Sequence, residues 1–183
     1  MKVQRRAMLL GLAALGLAAC TSTPKPALFH IQDSKVDLRS YRTFAFRAPA
    51  GAAVRSIIDR RLLEAARGEL ERRGYMFDEQ SAELLVDVGV VVEGRQALRS
   101  VPGRFPGWDG IETEDYRLGR LAIDLIDARR NEAVWRGIAE GRVSDAMLRD
   151  GGGAAEKAVA TVFEGFPVPP NARAAAPTAP MAR

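Results

Sequence analysis

The alternation of apolar and polar residues along the chain predicts four β-strands. The clearest run covers residues 84–92, where leucine and valines recur at every second position and Asp87 and Glu93 lie on the alternate face. A period of two is typical of a half-buried strand. Weaker alternation predicts three more strands, at residues 41–46, 118–125 and 133–143. Turn-forming residues at 127–131 join the last two strands into a predicted hairpin.

Apolar residues at helical spacing predict two helices. The first has Ser56 near its start and Gly74 in position for a left-handed C-cap. Its apolar stripe consists of Val54, Ile57, Ile58, Leu62, Ala65, Ala66 and Leu70. The second helix covers about residues 154–166 and is ended by Pro167. The order β-α-β-β-β-α predicts an α+β two-layer sandwich, a mostly antiparallel sheet of about four strands with both helices on one face.

The connection between the second and third predicted strands, residues 94–115, is unusually long. A structureless connection of about twenty residues is typical of a binding loop or a disordered segment. Aromatic residues and arginine commonly anchor interfaces. We therefore expect a binding loop whose candidate contact residues are Arg99, Arg104, Phe105, Trp108 and Ile111. The alternative is that Trp108 folds back as a lid on the sheet or the edge of the core.

The first twenty residues predict an exported lipoprotein. A cationic start precedes thirteen uncharged residues. As a helix these residues would span only about 20 Å, which is too short to cross a bilayer, so we predict a signal peptide at residues 1–19. The sequence LAAC at residues 17–20 resembles the lipobox of bacterial lipoproteins, and Cys20 is the only cysteine in the chain. That resemblance implies acylation of Cys20, and Thr21 at the next position implies sorting to the outer membrane, with the domain on its periplasmic face. Residues 20–32 are predicted to be a tether, and the Pro- and Ala-rich residues 168–183 a disordered tail.

Composition argues against several classes of function. Three of the 27 basic residues belong to the leader, which leaves 24 basic against 23 acidic residues in the mature chain. This balance gives no nucleic-acid-binding footprint. The only histidine, His30, lies in the predicted tether, and Cys20 is expected to carry lipid. We therefore predict no metal site, no cofactor and no catalytic residue, and a protein that is not an enzyme.

Three other motifs have plain structural explanations. Asp124 and Asp127 could form a carboxylate pair, but residues three apart on a strand point to opposite faces. We expect Asp124 on the solvated face and Asp127 accepting backbone N–H groups in the turn. Trp135 is expected in the core, with Gly137 allowing close packing. The glycines at 151–153 are interpreted as a linker rather than an anion site.

Several segments together resemble the DUF4136 family of bacterial lipoproteins. In the first half of the chain they are DLRSYRTFAF at 37–46, RGY at 73–75 and AELLV at 82–86. In the second half they are LAIDLID at 121–127, VWRG at 134–137 and FEGFP at 163–167. The resemblance covers about residues 33–167. It departs at Phe46, where the family often has Trp, and in the 94–115 connection. It implies a lipid-anchored periplasmic domain of unknown function and brings no catalytic residues.

These observations support three hypotheses. The first is a non-enzymatic lipoprotein that contacts an envelope protein or peptidoglycan through residues 94–115 and the open face of the sheet. The second is a carrier or sensor of a small apolar ligand, with the same segment as a lid. The third is a carboxylate-based hydrolase. The position of Trp108 discriminates between the first two, because an exposed indole favours a partner and an indole lining a void favours a ligand.

Overall fold

The computed structural model describes residues 25–47, 56–103, 105, 107–149 and 153–170. The predicted signal peptide, Cys20 and Arg104 lie outside these residues, as do Gly151, Gly152 and most of the predicted tail. The strands are β1 (Ala27–Gln32), β2 (Thr43–Phe46), β3 (Met76–Phe77), β4 (Leu84–Val101), β5 (Gly110–Asp127) and β6 (Glu132–Val143). The helices are α1 (Ile57–Arg72), α2 (Asp145–Arg149) and α3 (Gly153–Phe163), and a single 3-10 turn covers Leu38–Ser40.

Helix α1 begins and ends where local sequence satisfies its free backbone groups. The Ser56 side chain accepts the N–H of Asp59, and the Asp59 carboxylate accepts the N–H of Ser56, which makes a reciprocal capping box. At the other end Gly74 has φ +86°. The N–H groups of Gly74 and Tyr75 reach the carbonyls of Glu71 and Leu70, a Schellman arrangement. The predicted left-handed C-cap is confirmed.

The sheet contains six strands in the order β1-β6-β5-β4-β2-β3. Three neighbouring pairs are antiparallel, and β2 runs parallel to both β3 and β4. The α+β class is confirmed, but the expectation of about four strands in a mostly antiparallel sheet, with two helices, is wrong in detail. Helix α1 is a crossover connection from β2 to β3, and such a connection brings the next strand in parallel. The predicted hairpin of β5 and β6 is confirmed, with a register shift at Leu125/Ile126.

Strand β1 corrects the predicted tether. Residues 27–32, assigned to the tether, pair along their whole length with β6 and form one edge of the sheet. Their partners alternate between the helix side, where His30 lies opposite Gly137, and the open side, where Phe29 lies opposite Ile138. The main chain therefore joins the domain about six residues before the predicted boundary. At the other end Val168 is 1% exposed, one residue past the predicted end of the domain.

An aromatic cluster fills the space between the sheet and α3. Trp135 is stacked on Phe163 with ring centroids 5.5 Å apart and meets Phe166 edge-on at 4.9 Å. A Cβ added to Gly137 would lie 2.6 Å from Val162 Cγ1 and would also overlap the Trp135 ring, so only glycine allows this approach. The structural role predicted for Trp135 and Gly137 is confirmed.

Candidate functional site

A two-stranded arm projects from the sheet. Strands β4 and β5 stay paired from Leu84 opposite Asp127 to Val101 opposite Gly110. Their outer neighbours stop earlier, because β2 pairs only as far as Val86 and β6 ends at Val143, opposite Arg117. Beyond that row each of the two strands is paired only with the other. We call residues 94–117 the arm, and its paired part extends roughly 23 Å beyond the last row of β6 at about 3.3 Å per residue.

The arm overturns the prediction of a long loop at residues 94–115. Only residues 102–109 connect the strands, and the rest of the segment is regular antiparallel ladder. The alternation of apolar and polar residues did not predict these strands because both faces of the arm meet solvent, so neither face needs to be apolar. Most side chains of the arm are exposed, in contrast to the buried residues at the opposite end of β4 and β5.

The tip of the arm has a defined turn. The N–H of Trp108 donates to the Phe105 carbonyl at 3.1 Å, and Gly107 has φ +82°. Glycine is favoured at a turn position that takes a positive φ. A Cβ on Gly103 would overlap the carbonyl oxygen of Trp108. Gly103 and Gly107 therefore shape the backbone of the turn that carries Trp108.

Large apolar side chains are exposed along the arm and at its tip. The exposed fractions are 77% for Leu98, 65% for Phe105, 76% for Trp108 and 73% for Ile111. Leu98 pairs with Thr113 and Ile111 with Ser100, so Leu98 and Ile111 are diagonal neighbours on one face. Leu98 was not among the predicted contact residues, and the strand register is the observation that adds it.

Two further predictions concern Trp108 and the arginines. The lid alternative is wrong, because Trp108 is largely exposed and does not fold onto the core. Arg99 lies on the arm opposite Glu112, on the face away from Leu98. Of the five predicted contact residues, the structure therefore places four on one projecting element, and Arg104 lies outside the described residues.

Polar contacts hold the base of the arm. Arg142 of β6 pairs with Glu114 at 2.8 Å, and its guanidinium lies 4.2 Å from the centroid of the Tyr116 ring. On the other face Arg117 forms an ion pair with Asp145 of α2. Exposed pairs of this kind contribute little individually. They connect the base of the arm to β6 on one face and to α2 on the other.

The carboxylates considered for hydrolysis have separate structural partners. Asp127 accepts the backbone N–H groups of Arg129 and Arg130, both at 2.9 Å, and the hydroxyl of Tyr41 at 2.7 Å. The hydrogen bond from the Arg130 backbone is the main cause that lowers the pKa of Asp127 to about 2. Asp124 instead pairs with Arg136, with Nη2 and Oδ2 2.7 Å apart. The predicted roles of both residues are confirmed.

A groove lies beside Asp127. Ser40, Tyr41, Glu83, Asp127 and Arg129 line it. Burial, followed by the hydrogen bond to Asp127, raises the pKa of Tyr41 above its usual value of 10. An ionised Asp127 has no proton to donate near neutral pH, and a neutral tyrosine is a poor nucleophile. Among the described residues, no three acidic, His or Cys side chains are grouped as metal ligands.

His30 has a packing role. Its ring centroid lies 6.3 Å from that of Trp135, and it occupies the space that a side chain on Gly165 would need. It thus belongs to β1 rather than to a tether, and it covers the edge of the aromatic cluster.

The fold and the site define an α+β domain with a mixed sheet and a projecting two-stranded arm. Residues 30–168 match the model of the family described as a domain of unknown function, DUF4136. The chain therefore belongs to the DUF4136 family, as the sequence resemblance predicted. No curated protein matches the chain.

One solved structure shows that this fold occurs elsewhere, and two more resemble the chain less closely. A PDZ domain protein from Parabacteroides distasonis aligns over 80% of this chain and 38% of its own length, with 15% identity and a TM-score of 0.53. This chain thus spans well under half of that protein, and at this identity the likeness concerns the fold alone. A PelC dodecamer from Paraburkholderia phytofirmans aligns over 75% of this chain and 94% of its own, with 14% identity and a TM-score of 0.46. A minor lipoprotein from Acinetobacter baumannii aligns over 66% and 84%, with 12% identity and a TM-score of 0.34.

The described helices do not include a membrane span. None of them is long and apolar enough to cross a bilayer.

Proposed function

We propose that this protein is a lipid-anchored, non-enzymatic interaction domain on the periplasmic face of the outer membrane, and that the arm is its contact element. The observation that carries the proposal is the exposure of Trp108 at the tip of the arm. Isolated two-stranded ribbons are only marginally stable in water. An arm that exposes four large apolar side chains is more easily explained by a binding role than by a structural one.

The chemistry of the remaining surface supports a non-enzymatic role. Asp124 and Asp127 are each engaged by arginine or backbone groups, and His30 packs against the core. An apolar-ligand carrier would need Trp108 to line a void, whereas the indole is exposed. The described part of the chain therefore favours the interaction hypothesis over both rivals.

The anchor is tested on protein extracted from membranes. We expect the intact mass of the mature chain to show acyl chains on Cys20 and the protein to partition into detergent. A Cys20→Ser variant should remain unprocessed or unacylated and lose membrane association. An unmodified cysteine in a protein that does not partition would overturn the anchor.

The arm is tested by comparing Trp108→Ala with Phe29→Ala. Phe29 is 57% exposed on the open face of the sheet, so this variant also removes an exposed aromatic ring but leaves the arm intact. Both variants should fold normally. A photo-crosslinking residue at position 108 should give a contact in whole cells that the same residue at position 29 does not. Equal labelling from both positions would contradict a special role for the arm.

A further inference from the structure

The arm and the chain that leads to Cys20 leave the sheet at the same end. Ala27 of β1 lies opposite Glu140, and Pro26 packs beside Gly141. Strand β6 then continues to Val143, where the arm begins. Pro26 therefore lies at the end of the sheet from which the arm projects.

The arm is longer than the reach of this leading segment. The row that contains Gly141 also contains Val92, and nine further residues of β4 carry the arm to Val101. Nine residues of strand cover roughly 30 Å. The six residue steps from Pro26 back to Cys20 cover at most about 22 Å, even when fully extended. A lipid surface that holds Cys20 is therefore within reach of the tip of the arm.

The exposed side chains at the tip suit the boundary between lipid and water. Tryptophan is enriched at that boundary because its ring is apolar and its N–H is polar. Phe105 and Trp108 lie in the turn, and Leu98 and Ile111 share one face just behind it. Residues 94–117 contain four arginines and four carboxylates, so the arm carries no net charge. Its affinity for lipid would come from apolar burial rather than from attraction to anionic headgroups.

We infer that the tip of the arm inserts Trp108 and its apolar neighbours into the headgroup region of the same membrane that holds the lipid on Cys20. This inference rests on the proposed anchor and names the partner of the arm as the lipid surface itself. Two attachment points, the lipid and the arm, fix the orientation of the domain on the membrane. A lipid on Cys20 alone would be a single attachment point, which does not set the orientation of the domain.

Tryptophan fluorescence tests this contact directly because the chain has only two tryptophans. Trp135 is 1% exposed in the core and serves as an internal reference, whereas Trp108 reports on the tip. The membrane-extracted protein is reconstituted into phosphatidylcholine vesicles with or without brominated acyl chains. We expect Trp108 emission to shift to the blue on reconstitution and to be quenched by the brominated lipid.

The variants assign the response to the tip. Trp108→Phe should leave only the unquenched emission of Trp135, and Phe29→Ala should quench as the unaltered protein does. Quenching should persist at high salt, because the arm is neutral overall and exposed charges are screened. Quenching that appears only with anionic lipid at low salt would overturn the apolar contact.

The intact mass of the same sample shows whether Cys20 is acylated, so the proposed anchor and the inferred lipid contact of Trp108 are tested separately. An acylated chain with quenched Trp108 supports both. An acylated chain whose Trp108 stays accessible to an aqueous quencher leaves the anchor in place and overturns the lipid contact. Specific crosslinking of position 108 to an envelope protein would then identify the arm as a protein-binding element. An unacylated chain overturns the proposed anchor, and the inference with it.

Discussion

Arg73, the C-cap residue of α1, donates a hydrogen bond from Nη2 to the carbonyl oxygen of Phe163 at 3.2 Å, which links the C-terminal ends of α1 and α3. Its guanidinium also lies 4.9 Å from the centroid of the Phe163 ring. The charge is balanced by Glu69, one helical turn earlier, and both residues are only 5% exposed. Burial lowers the pKa of Arg73 below its usual value, but an arginine side chain stays charged in a protein, so the buried charge needs its partner. The two helices that cover the sheet are thus joined by a buried arginine whose charge is balanced by Glu69.

Glu69→Leu should lower the free energy of unfolding by about 3 kcal/mol, because it leaves Arg73 charged and uncompensated in a buried position. The double variant Glu69→Leu/Arg73→Met should recover most of this loss, since two apolar side chains can replace a buried pair at little cost. Urea unfolding followed by circular dichroism measures both. If the double variant is as unstable as the single one, the loss comes from packing rather than from the unpaired charge.

Acid should destabilise the protein through Asp127. The pKa of this carboxyl is lowered to about 2 in the folded chain, below the value near 3.8 of a free aspartate. A lowered pKa stabilises the fold above pH 4, and this contribution is lost as the pH falls from about 4 to 2. A pKa lowered from 3.8 to about 2 corresponds to a contribution of about 2 kcal/mol. Unfolding curves at pH 5 and at pH 2.5 should differ by less in Asp127→Asn than in the unaltered protein. An equal pH dependence in both would remove Asp127 as the cause.

Gly137→Ala should destabilise the fold by about 2 kcal/mol, the usual cost of overpacking a core. The added methyl group would overlap Trp135 and Val162. Gly89→Ala is the matched control, because Gly89 also lies within a strand but has nothing within 4 Å of an added Cβ. The control should be neutral or slightly stabilising. Thermal unfolding of the two variants checks this, and a similar loss in both would show that backbone freedom, not the clash with Trp135, sets the effect.

The elements that the sequence predicted well are those with one buried face. The apolar residues of α1 and of residues 84–92 face the core. Burial therefore makes apolar residues recur at the period of a helix or a strand, which the sequence shows directly. The helix caps at Ser56 and Gly74 could also be predicted, because capping depends on residue types and backbone geometry within a few positions. Asp127 was assigned to its turn for the same reason.

Pairings between strands that are distant in the sequence could not be predicted from it. Strand β1 has apolar residues on both faces, with Leu28 towards the core and Phe29 and Ile31 exposed, so it shows no clean alternation. Strand β3 contains two residues, too few to show any period. Whether β2 runs parallel to its neighbours depends on pairing across more than thirty residues. The residue types of the 94–115 segment indicated its candidate contact residues. Their placement on a two-stranded ladder, and the addition of Leu98 to them, required the pairing register of β4 and β5.

The arm should exchange its amide hydrogens faster than the rest of the same two strands. At the base, β4 and β5 lie inside a six-stranded sheet, and Leu84, Ile123 and Leu125 are fully buried. In the arm the same strands are paired on one side only and expose both faces, so local opening there costs less free energy than opening of the core. Hydrogen exchange measured by mass spectrometry should show low protection at residues 94–101 and 110–116 and high protection at residues 84–88 and 121–126. On reconstitution into vesicles, protection of the arm should rise if its tip is held at the membrane, while protection of the base should stay the same. Uniform protection along β4 in the isolated protein would show that the arm is stabilised by contacts other than the pairing of its two strands.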